Sequence, residues 1–143
     1  VRPLEMSGAI GCEQIKKLPK LLSERRKNAQ TFVSLFEQHQ FIQIQEEVSS
    51  SSWFGFSLVL KENSPISRSD LVAELNENKI ECRPIVTGNF LKNHAVLEYF
   101  DYEIFGEMKN ASYIDQNGLF VGNHHQDITK EINMLYNLIN RLL

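Results

Sequence analysis

The spacing of apolar residues changes several times along the chain, and each change marks an element boundary. Residues 19 to about 39 carry Leu22, Ala29, Phe32, Val33 and Phe36 at helical spacing, with "SERRKN" mainly on the opposite, solvated side. Pro19 suits the first turn of this helix and ends the one before it, which starts at Pro3 and continues through Leu4, Ala9, Ile10 and Ile15 to about Leu18. Gly8 and Gly11 each cost that first helix roughly 1 kcal/mol against alanine, so a close neighbour is expected to use their missing side chains. In residues 41–45, Phe41, Gln43 and Gln45 alternate with Ile42 and Ile44, and "WFGFSLVL" at 53–60 is rich in strand formers. These two segments read as antiparallel partners joined by the short serine-rich loop "EEVSSSS".

Further on, Ser69 is placed to cap a helix reaching about Asn78, with Leu71, Val72 and Leu75 facing inward. "KIECRPIV" then reads as a strand, so residues 53–86 form a strand, helix, strand unit. "LKNHAVLEYF" and "EMKNASYIDQN" predict short helices, and Gly118 introduces the strand "LFVG". Asp127 caps a last helix whose buried stripe is Ile128, Ile132, Leu135, Leu138, Ile139 and Leu142. The order predicts an α+β fold, a small and mostly antiparallel sheet covered by helices.

Composition narrows the partners. The chain has 143 residues, enough for one domain with a core, and its net charge of -3 offers no concentrated basic footprint for nucleic acid or an anionic membrane. No apolar run approaches the roughly 20 residues that span a bilayer, and "VRPLEMSGAIG" lacks the order of a secretory signal, so the cytoplasm is the expected compartment. Protein or small-molecule partners are therefore expected. Because Val1 opens directly onto a helix start, the chain reads as a piece of a longer protein. Cys12 and Cys82 have no metal or redox spacing and are expected as buried small apolar residues.

The candidate chemistry lies in "ECRPIVTGNF". In a strand from Ile80 to Val86, Ile80, Cys82 and Val86 would share one face and Glu81 and Arg83 the other. Such a pair is either a surface ion pair worth about 0 to 1 kcal/mol or a ligand site, Arg83 donating to oxygens and Glu81 accepting from hydroxyls. Thr87, Gly88 and Asn89 add polar functions and a backbone that a ligand can approach, though a Gly-Asn turn also serves plain connection. His124 and His125, in an extended segment, would face opposite ways and chelate poorly; His39 and His94 are isolated.

"RPLEMSGAIGCEQIKKLPKLLSERRKNA" resembles the segment after the catalytic domain in the DegT-type sugar aminotransferases, pyridoxal-phosphate enzymes of fold type I. "IECRPIVTGNF" and "NGLFVGNH" follow in the family's order, so the resemblance covers essentially the whole chain. "VTGNF", in place of a Pro-Leu-His-like ending, is similar to the family's sugar 3-dehydratase branch. The resemblance implies that residues 1–143 are a C-terminal small domain, with helices in 1–39 linking it to a large domain. It implies a homodimer using pyridoxal or pyridoxamine phosphate to remove the C3 hydroxyl of a nucleotide-linked 4-keto-6-deoxy sugar, with release of ammonia. The catalytic Lys or His position would precede Val1, so no catalytic residue and no metal ligand is expected here. Arg2 matches the arginine of the family's Asn-x-Arg motif, near the cofactor phosphate of the partner subunit. Glu81 and Arg83 match sugar-pocket positions, Thr87 and Asn89 are added by proximity, and Gly8 and Gly11 become candidates for dimer packing. Two alternatives stand beside this: a 4-keto-sugar aminotransferase of the same family, and a stand-alone α+β interaction module.

Overall fold

Burial along Gly55–Leu60 sets the layering: Phe56, Leu58 and Leu60 are buried against helices, while Ser57 and Val59 between them face the other way and are only half-buried. The computed structural model describes residues 4–143. In chain order it contains α1 (Glu5–Ile15), α2 (Leu18–Phe36), β1 (Ile42–Ile44), β2 (Gly55–Leu60), α3 (Arg68–Glu77), β3 (Cys82–Arg83), α4 (His94–Leu97), α5 (Lys109–Asn117), β4 (Gly118–Gly122) and α6 (Thr129–Leu142). The strands form one antiparallel sheet in the order β1-β2-β4-β3, an α+β architecture. On one face, Phe56, Leu58, Leu119 and Val121 join Phe32 and Phe36 of α2, Leu71 and Leu75 of α3, and Ile132, Leu135 and Ile139 of α6 in a single core. Helix α5 crosses part of the other face, where the Tyr113 hydroxyl donates to the Leu60 carbonyl at 2.8 Å.

Several expectations are corrected. Ser67, not Ser69, caps α3: its hydroxyl accepts from the Asp70 amide while the Asp70 carboxylate accepts from the Ser67 amide, a reciprocal capping box. The strand predicted for 80–86 shortens to Cys82–Arg83, because Pro84 lacks a donor and the chain turns at Val86, where φ is +53°. Val86 is thereby left exposed rather than facing the core with Cys82. The strand, helix, strand order of residues 53–86 is present as β2, α3 and β3, with β4 inserted between the two strands in the sheet. Cys82 is half-buried and burial pushes its thiol upward, but Cys12 is exposed on α1, a helix with no buried residue. Gly8 and Gly11 have open space where a side chain would begin. Asn28, assigned with "SERRKN" to the solvated side, is fully buried.

Candidate functional site

Cys82 packs toward the core, so the pleat sends Glu81 and Arg83 to the opposite face of the edge strand β3. There they meet. Arg83 donates from Nε and Nη2 to Glu81 Oε1 at 3.1 and 2.7 Å, with both side chains about three-quarters exposed, at 70 and 76 %. Phe120 lies across from Arg83 in the β3–β4 register, on the same face. Its ring rests on Gly55, where a Cβ would come within 2.0 Å of the ring edge, so only glycine admits this seat. The exposed Phe54 ring stacks on Phe120 with centroids 5.8 Å apart and planes 10° from parallel, and the Arg25 guanidinium stands 5.7 Å from the Phe54 centroid. Phe54, Glu81, Arg83, Phe120, Gly122 and Asn123 line an open hollow of about 310 Å³.

Of the residues singled out from the sequence, Glu81 and Arg83 are brought together in this hollow, and Thr87 and Asn89 are not among its lining residues. Thr87 is exposed at the tip of the following bend. Asn89 is buried, and its side chain is used locally: Nδ2 donates to Ser112 Oγ and Oδ1 accepts from the Leu91 amide, both at 3.1 Å. Asp115 of α5 holds the same bend. It accepts from the Asn89 amide at 3.1 Å and from Lys92 Nζ at 2.5 Å, and these bonds hold its carboxyl below the usual range. Gly88, with φ +66°, touches that carboxylate so closely that a Cβ would fall 1.9 Å from Oδ1. Arg2 lies outside the described residues.

Beneath the hollow, Asn123 ties three elements together. Its Nδ2 donates to the carbonyls of Arg25 and Trp53, and its Oδ1 accepts from Asn28 Nδ2 at 3.1 Å. Asn28 also donates to the carbonyls of His124 and Gln126. This network bends the chain after β4, so the rings of His124 and His125 stack 4.2 Å apart instead of facing opposite ways. Among the described residues no group of three or more His, Cys, Asp or Glu is arranged to hold a metal ion, and no helix is long and apolar enough to cross a membrane. Phe54 lies in "WFGFSLVL" and Phe120, Gly122 and Asn123 in "NGLFVGNH", and none of the four has a site role from the sequence alone. The available signal was that "WFGF" and "LFV" are apolar on both faces of a strand, which a covering helix or a ligand must use.

A model of the DegT/DnrJ/EryC1/StrS aminotransferase family matches residues 2–136. GDP-4-keto-6-deoxy-D-mannose 3-dehydratase of Yersinia pseudotuberculosis is 60 % identical over 99 % of this chain and 36 % of its own length. The structure of the E. coli GDP-4-keto-6-deoxy-D-mannose-3-dehydratase with bound hydrated PLP superposes with TM-score 0.92 and 56 % identity, over 96 % of this chain and 36 % of that one. A mutant GDP-4-keto-6-deoxymannose-3-dehydratase with bound GDP-perosamine gives TM-score 0.93 and 55 % identity, over 97 % of this chain and 36 % of that one. The chain thus spans about a third of the length of the relatives it matches.

Proposed function

The chain belongs to the DegT/DnrJ/EryC1/StrS aminotransferase family, and from that premise we propose that it is the C-terminal small domain of a nucleotide-sugar enzyme dependent on pyridoxal or pyridoxamine phosphate, a GDP-4-keto-6-deoxy-D-mannose 3-dehydratase. The observation that carries the proposal is the 60 % identity with such an enzyme over 99 % of this chain. In this reading residues 1–143 form the small domain and the helices within 1–39 join it to the large one. The working form is a cytoplasmic homodimer in deoxysugar biosynthesis, supplying colitose for lipopolysaccharide O-antigen, and Gly8 and Gly11 admit the dimer partner near the shared site.

The role of this domain is to hold substrate. The planar fork of Arg83 donates to keto or hydroxyl oxygens, Glu81 accepts from hydroxyls, and their binding energy orients the C3–O bond that is to break. Thr87 offers a hydroxyl at the exposed tip of the bend, and Asn89 acts by keeping that bend in shape. The hollow does not fit the cofactor itself: its guanidinium is already matched by the Glu81 carboxylate, which repels a phosphate. The cofactor's electron sink and the catalytic Lys or His therefore belong to the large domain, with Arg2 near the phosphate of the partner subunit.

The test is an assay of the full-length protein carrying this chain, with pyridoxamine phosphate and GDP-4-keto-6-deoxymannose. Ammonia release with loss of the C3 hydroxyl is expected, and none from the 143-residue chain alone. Formation of a 4-amino sugar instead would move the protein to the aminotransferases. Arg83→Ala is expected to lower kcat/KM by roughly tenfold or more, the loss of one charge-assisted contact.

A further inference from the structure

Beside the charged pair the hollow has an aromatic floor that no hydrogen-bonding role explains. We infer that the stacked rings of Phe54 and Phe120 carry the C–H face and C6 methyl group of the deoxy sugar held by Glu81 and Arg83, and are specificity-determining residues for a 6-deoxy pyranose rather than a seat for the nucleobase. The inference rests on the substrate reading above and deepens it.

Three observations carry it. The floor is preformed: Phe120 is locked over Gly55, Phe54 lies nearly parallel to it, and Phe54 is 72 % exposed although its side chain is large and apolar. The polar groups above the floor are half-used. Both hydrogen bonds from Arg83 land on Glu81 Oε1, and among the described residues Glu81 Oε2 and Arg83 Nη1 have no hydrogen-bond partner. A pyranose presents hydroxyl edges to such groups and an apolar face to such rings at once. The third observation is placement: the two rings and the two charged side chains line one and the same hollow. A C6 hydroxyl set against these rings would lose water without gaining a partner, whereas a C6 methyl gains contact.

Gly122 supplies a clean probe. It lines the hollow, its backbone is not in the left-handed region, and nothing lies within 4 Å of where its Cβ would be, so a side chain there fills the ligand space without a clash. The experiment measures binding of GDP-perosamine and of GDP to the full-length protein, wild type against Phe54→Ala, Phe54→Tyr and Gly122→Val. Phe54→Ala is expected to weaken GDP-perosamine by roughly three- to tenfold and to leave GDP unchanged, with Phe54→Tyr close to wild type. Gly122→Val is expected to weaken GDP-perosamine more strongly while the melting temperature holds. Equal weakening of GDP and GDP-perosamine would put the base on the rings and overturn the inference. So would unchanged binding in both Phe54→Ala and Gly122→Val. These outcomes leave the dehydratase reading standing; a wild-type protein that binds no GDP-perosamine would remove both.

Discussion

At the scale of single residues, exposure separates the side chains that serve the fold from those free to serve a ligand. Asn28 is 2 % exposed, and its amide makes contacts with Asn123, His124, Gln126 and Ile128, so one side chain satisfies backbone groups at the end of β4 and the start of α6. Replacing it with alanine strands the buried Asn123 amide oxygen, at about 1 to 3 kcal/mol, and releases three part-buried backbone groups that water can partly reach. Asn28→Ala is therefore expected to destabilise the chain by about 2 to 4 kcal/mol, read as a lower urea midpoint at unchanged slope. Glu81 and Arg83 sit at the other extreme. Their ion pair is mostly in water, so Arg83→Ala is expected to change the stability of the same chain by less than about 1 kcal/mol. Together the two variants separate a structural polar residue from a binding one, a difference that "SERRKN" and "IECRP" do not display as strings.

At the scale of elements, the turn from α2 into β1 depends on one imidazole. His39 Nδ1 accepts from the amides of Phe41 and Ile42 at 3.2 and 3.1 Å, which requires that nitrogen to carry no proton. Burial, with the charge of Lys61 as a smaller contribution, pushes the His39 pKa below its ordinary value of 6.5. Below that value the unfolded chain takes up a proton that the folded one refuses, so folding stability is complete above about pH 6.5 and falls as the pH drops toward the folded pKa. Thermal melts from pH 8 to 5 are expected to show this decline, and His39→Ala to lose that component while lowering stability throughout. In the sequence His39 is an isolated histidine, because the two amides it accepts from become available only where the chain leaves the helix. The α3 cap shows the same limit. Ser67 and Ser69 are both good caps, and the choice fell to Ser67 because Asp70 lies three residues beyond it and closes the box.

At the scale of the whole molecule, stability is unevenly distributed. Helix α1 has 11 residues, none buried, and Leu4, Met6, Ile10 and Ile15 stand in solvent. A helix of that length without packing is marginal. In the 143-residue chain its amides are expected to exchange with deuterium far faster than those of β4 and α6. Gly8→Ala and Gly11→Ala meet no atoms within 4 Å, so each is expected to slow that exchange, gaining roughly 1 kcal/mol of helix propensity. In the proposed full-length dimer the same changes are expected to impair association, because the space they fill would belong to a partner. Unaltered dimerisation would remove Gly8 and Gly11 from the interface.

Local periodicity in the sequence determined most of the elements: the stripes of α2 and α6, the alternation of β1 and the strand character of β2 and "LFVG" follow from where apolar side chains can be buried together. It also determined that Glu81 and Arg83 share a face, since parity two residues apart holds in any extended strand. Only the tertiary structure decided that β4 enters between β2 and β3, that Phe120 rests on Gly55, that Asn28 is buried and that Asn89 turns inward to α5. Each of these joins residues more than 20 positions apart. The energy that selects them comes from packing and hydrogen bonds between distant segments, which a local pattern does not encode.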